Sequence, residues 1–159
     1  MDGRYARDVL PFVKLDFQTA QERAKAEGLL LILDATAEWC APCKVMDRVT
    51  WLDPKVRAWL GRHALAIRVD VDRQQTLARD LSIRAMPTVI VFKDGAELDR
   101  VFGLIRVDTL LAWLDGLLVG RTELDALRES ITNDPTDVDA HYRLAHKHVD
   151  AGRWEAASD

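Results

Sequence analysis

Short apolar runs alternate with amphipathic, helix-forming stretches along the first three quarters of the chain. "FVKLDF" (12–17) alternates apolar and charged residues, which predicts a short half-buried strand. "QTAQERAKAEG" (18–28) is rich in helix formers and closes on Gly28, a natural helix stop. "LLLILDAT" (29–36) is a continuous apolar run, as in a strand covered on both faces. "CKVMDRVT" (43–50) predicts a short helix, and "DPKVRAWLGR" (53–62) a longer one, with Asp53 as N-cap, Pro54 at the first position and Gly61 near the end. "LAIRVDVD" (65–72) alternates again as a strand, with a helix over 73–80. "TVIVF" (88–92), the turn "KDG" (93–95) and "ELDRVFG" (97–103) predict a hairpin. "VDTLLAWLDGLL" (107–118) is an amphipathic helix whose apolar face is Leu110, Leu111, Trp113, Leu114 and Leu117. Strands alternating with helices, then a hairpin and a closing helix, predict an α/β sandwich with a mixed sheet.

That first domain is expected to span 1–118, with a helical extension over 119–159. "TELDALRESI" (122–131) and "VDAHYRLAHKHVDAG" (138–152) read as helices parted by the breaker "TNDP". "GRWEAASD" then starts a third, and the Gly-aromatic-acid-Ala pattern resembles a tetratricopeptide unit. One truncated unit is too small to bury its own face, so the extension is expected to lean on the first domain, on a neighbour such as a second copy or a protein partner, or on further sequence.

Composition narrows the possibilities. The chain is 48% hydrophobic and 30% charged, an ordinary globular balance, and its net charge of −4 offers no basic footprint for nucleic acid. It has no apolar run long enough for membrane insertion. The N-terminal stretch does not read as a signal peptide, so a cytoplasmic location is expected, or a periplasmic one if the chain has been trimmed.

The only two cysteines stand three apart in "EWCAPCK" (38–44). They are open to three readings: two core residues, two metal ligands, or a redox dithiol. The pair follows a buried strand and opens a helix, where free N–H groups and the dipole favour a thiolate at Cys40. Pro42 stiffens the loop, and Trp39 can shield one side of the sulfurs. A zinc site needs three or four protein ligands. No second CxxC exists, and His63, His141, His146 and His148 are remote in sequence, the last three expected on a solvated helix face. No metal is expected.

"DATAEWCAPCK", "SIRAMPT", "VFKDG" and "VFG" together resemble thioredoxin, in the same order and at similar spacings, over residues 12 to 118. The stretch "AKAEGLLLILDATAEWCAPCKVMDRVTWLDPKV" is similar to the branch that includes the C-terminal domain of membrane thiol:disulfide interchange proteins. The resemblance implies a thioredoxin fold, with Cys40 as exposed nucleophile and Cys43 as buried resolving thiol. Asp34, six residues before Cys40, matches a buried acid that helps deprotonate the resolving cysteine. Met86 and Pro87 match a cis-proline loop, and Gly103 a glycine beside the substrate groove. Trp39, Ala41 and Pro42 complete the implied substrate surface. Arg68 stands where a lysine is common, and a guanidinium holds its proton, so its implied role is electrostatic. Ala41 replaces the usual glycine, and Ala35-Thr36 replaces an aromatic pair.

The implied activity is thiol–disulfide exchange on protein disulfides. No cofactor is implied beyond the dithiol itself, and an external reductase or dithiol donor would recycle it. The rival reading is an adaptor in which the first domain is a platform and the helical extension binds.

Overall fold

The structure, a computed structural model, describes residues 9–150. The described residues fall into two compact units, divided between Ala112 and Trp113.

In the first unit, Asp16 caps helix α1 (Phe17–Glu27), accepting the Thr19 N–H at 2.9 Å, and Gly28 closes the helix in a left-handed conformation (φ 68°). Strand β1 (Leu30–Thr36) follows at once. Helix α2 (Ala41–Met46) runs directly into a π-turn (Asp47–Trp51) that no sequence pattern announced. Helix α3 (Pro54–His63) is capped by Asp53, and Gly61 lies near its end, as expected. Strand β2 (Ala64–Asp70), helix α4 (Gln75–Asp80), strand β3 (Thr88–Lys93) and strand β4 (Ala96–Phe102) complete the core elements. Helix α5 (Val107–Leu118) has the expected bounds and contains the boundary between the units; its Leu110, Trp113, Leu114 and Leu117 are buried.

The sheet has the order β2-β1-β3-β4, with β1 and β2 parallel and the other pairs antiparallel. Every residue of β1 from Leu30 to Ala35 is buried, as its unbroken apolar run predicts. Ala20 and Ala24 of α1 pack against Leu31, Leu33 and Ala35 of β1, Leu65, Ile67 and Val69 of β2, and Ile90 and Phe92 of β3. Burying a side chain the size of Leu33 or Ile90 stabilises by roughly 1.5–3 kcal/mol. Strand alternation therefore turns Asp34 to the opposite face of the sheet from Leu33 and Ala35.

The strand expected over 12–17 does not form. Asp16 is committed to capping α1 and Phe17 begins the helix, so the segment keeps one backbone bond to β2, from the Val13 N–H to the Ala66 carbonyl at 2.9 Å.

In the second unit, helices α6 (Glu123–Asn133) and α7 (Val138–Asp150) follow the two predicted helical patterns. Thr122 and Asp125 form a reciprocal capping box at the start of α6. Glu123, buried on α6, pairs with Arg143 and with Lys147 at 3.0 Å on α7. His148 is buried rather than on a solvated face, while the His146 ring meets that of Tyr142 at a tilt, with centroids 4.5 Å apart. The expected third helix and Trp154 lie outside the described residues. Among the described residues, no helix is long and apolar enough to cross a membrane.

Candidate active site

Cys40 and Cys43 are joined by a disulfide, with Cα atoms 5.3 Å apart. Cys40 caps α2, its sulfur accepting the Cys43 N–H at 3.2 Å, so the first turn of the helix points a donor at that atom. Pro42 occupies the first turn, where its missing N–H costs nothing. Ala41 and Pro42 are exposed between two buried sulfurs. The sequence had implied an exposed Cys40, yet it is as buried as Cys43, each 3% accessible. Ala37, Val71 and Met86 pack on the pair.

The Met86–Pro87 peptide bond is cis. Met86 touches the cysteine cluster, and the Pro87 carbonyl accepts the Gly103 N–H at 2.8 Å, joining two stretches that the sequence had singled out separately. Gly103 has φ 85°, which a side chain would strain. Trp39 is 67% exposed, and its indole N–H donates to Asp72 at 2.8 Å. It therefore forms a fixed surface ledge in the residue before Cys40.

Asp34 is 2% accessible. The parallel register sets it beside Arg68, whose Nε and Nη2 both donate to Oδ2, at 2.9 and 2.7 Å. The same guanidinium also grips Asp47, the first residue of the π-turn, with Nη1 at 3.1 Å. The Phe12 ring covers it at 4.4 Å from the centroid. Burial pushes the Asp34 carboxyl from 3.8 up to about 7; Arg68 pulls it down less strongly, and Asp47 adds repulsion in the direction of burial. An acid poised there can take up and release a proton near neutral pH.

Asp47 and Asp72 were not singled out from the sequence. Asp47 carried a usable signal, lying four residues after Cys43 and so on the same helical face. Asp72 carried none. Asp47→Asn is expected to lower the Asp34 pKa, because it removes the repelling charge and leaves Arg68 to Asp34 alone. Carboxyl titration by NMR checks this, with a downward-moved midpoint as the expected result.

Comparison with known proteins agrees with this geometry. Residues 17–118 match the family model described as a thioredoxin-like domain. The H-type thioredoxin of Oryza sativa subsp. indica is 36% identical over 95 residues, which cover 60% of this chain and 75% of that protein. A thioredoxin of Chlamydia trachomatis serovar D is 40% identical over 88 residues, covering 54% and 79% respectively. The solution structure of a thioredoxin from Thermus thermophilus aligns with a TM-score of 0.62 at 27% identity, over 69% of this chain and 89% of that one. Fold and dithiol together define a thiol–disulfide oxidoreductase. The chain belongs to the thioredoxin-like domain family.

Proposed function

We propose that the protein reduces protein disulfides through Cys40 and Cys43. The observation that carries this reading is the Cys40–Cys43 pair at the start of α2, packed against Met86 of the Met86–Pro87 loop. In the reduced protein, the Cys40 thiolate attacks one sulfur of a substrate disulfide. A mixed disulfide forms and the other substrate sulfur leaves as a thiolate, which solvent protonates. Cys43 then loses its proton with help from Asp34 and attacks the Cys40 sulfur. The second substrate thiolate leaves, and the two electrons given up by the protein remain in the substrate as two thiols.

The substrate surface of this reading is Trp39, Ala41, Pro42, Met86, Pro87 and Gly103. The redox centre is the dithiol alone, with no metal or organic cofactor. An external reductase or dithiol donor restores it, and a reducing cytoplasm suits that cycle. A mild reductant is the expected character. Lys44 and the helix end favour the thiolate, but Glu38 opposes them and is itself only loosely held, 3.5 Å from Arg73. The helical extension, read as tetratricopeptide-like, is assigned to self-association or a protein partner. The adaptor reading, with the first unit as platform alone, has no observation of its own in its favour.

Insulin reduction driven by dithiothreitol tests the proposal. The wild-type protein is expected to shorten the lag before precipitation, and Cys40→Ser to return it to that of dithiothreitol alone. Equal lags for the two proteins would remove the proposal.

A further inference from the structure

A surface groove of about 460 Å³ opens beside the dithiol. Two of its lining residues, Val71 and Met86, are the same ones that pack on the Cys40–Cys43 pair, so the groove begins where the sulfurs are covered. Its far side is built by Gln75, Ala78 and Arg79 of α4 and by Ser82, Ile83 and Arg84 of the loop before Met86. The loop is anchored from outside. Arg100 of β4 donates to the Leu81 carbonyl at 2.9 Å and to the Ser82 carbonyl at 3.5 Å.

The charges on this groove have one sign. Arg79 and Arg84 are its charged lining residues, and no carboxylate lines it. Of the acids nearby, Asp70 and Glu38 pair with Arg73 and Asp72 accepts from the Trp39 indole, while the exposed Asp80 follows Arg79 at the end of α4 and does not line the groove. Among the described residues, neither Arg79 nor Arg84 is in an ion pair, in a chain whose net charge is −4. Two arginines without an ion pair, lining a groove with Val71, Ala78, Ile83 and Met86, suit a carboxylate carried on a short aliphatic stem.

We propose that this groove receives an acidic side chain next to the cysteine under attack, so that disulfides flanked by Asp or Glu are the preferred substrate class. The inference rests on the thiol–disulfide exchange reading above and adds its selectivity. Arg79 and Arg84 touch the substrate flank and not the reacting sulfurs; they are specificity residues.

The test compares two small disulfides of opposite character. Reduced protein is mixed with dianionic 5,5′-dithiobis(2-nitrobenzoate) or with neutral 2,2′-dithiodipyridine. In each case Cys40 displaces one aryl thiolate, Cys43 displaces the second, and the protein ends with its 40–43 bridge. The ratio of the two rate constants cancels any change in the thiolate fraction of Cys40. That ratio is expected to fall by about three- to tenfold in the Arg79→Gln/Arg84→Gln protein, the size of two partly exposed ion pairs. In the wild-type protein it should fall likewise as salt is raised. Oxidised peptides with Glu or Gln beside the cysteine should show the same preference for Glu in kcat/KM, lost in the variant. A ratio and a peptide preference identical in the two proteins would overturn the inference while leaving the dithiol chemistry intact. If neither reagent closes the 40–43 bridge, the exchange reading fails and this inference fails with it.

Discussion

Cys43→Ser protein, reduced and mixed with an oxidised protein substrate, is expected to stop at a covalent adduct of the two chains. Cys40 sits at the N-cap of α2 and receives the backbone N–H of residue 43, a contact that favours negative charge on its sulfur. A serine at 43 preserves that N–H but supplies a hydroxyl that does not displace sulfur. The first exchange therefore proceeds and the second does not. Turnover should fall to that of dithiothreitol alone, with an adduct on non-reducing gels that excess dithiothreitol releases. The reciprocal Cys40→Ser protein should form far less adduct, because Cys43 lacks that N-cap position. Equal trapping by the two variants would assign the attack to either sulfur and contradict the asymmetry.

Asp34→Asn is expected to make the protein more stable and slower. Its carboxyl has a pKa of about 7 in the folded chain against 3.8 ordinarily, because burial disfavours the charge more than Arg68 favours it. The folded state thus holds a proton that the unfolded chain would release. The Asp34 contribution to stability is most favourable below 3.8, falls as pH rises toward 7, and carries the whole penalty above it. About three units correspond to roughly 4 kcal/mol at most. An amide avoids that penalty, and Arg68 keeps Asp47 as partner. We expect a gain of about 2 kcal/mol at pH 8, shrinking toward zero near pH 4, in urea unfolding of the oxidised protein. The amide is no proton acceptor for Cys43, so resolution should slow by on the order of 10²-fold at neutral pH. Unchanged stability and unchanged resolution would make Asp34 a bystander.

Much of this arrangement is written locally in the chain. The buried strand β1 is legible because six successive apolar or small positions surround a single acid. The helix cap at Asp53-Pro54 and the αL stop at Gly28 each follow from one residue's backbone preference. The hairpin is legible because Asp94 and Gly95 both accept positive φ. What the sequence hides is competition between local and distant partners. "FVKLDF" alternates like a strand, but Asp16 is worth more to α1 as a cap than the segment is to the sheet. The π-turn depends on tertiary anchors such as the Thr50 hydroxyl, which donates to the Ile105 carbonyl at 2.8 Å across 55 positions. The sharing of Arg68 between Asp34 and Asp47 needs that turn and the β1–β2 register together. Burial of Cys40 depends on Val71 and Met86, which come from distant parts of the chain. The groove beside the dithiol needs Arg79, seven positions before Met86, and Val71, fifteen before it, brought to the same loop in pattern-poor sequence.

Equilibrating the protein in dithiothreitol redox buffers, then alkylating free thiols and weighing the products, tests the dithiol most directly. Cys40 and Cys43 are expected to be alkylated together or not at all, in a single two-electron transition. Its midpoint should lie nearer the about −270 mV of thioredoxin than the about −120 mV of a strong oxidant. A transition dominated by singly alkylated protein, or two thiols that stay free at every potential, would contradict the claim that this pair is a redox centre.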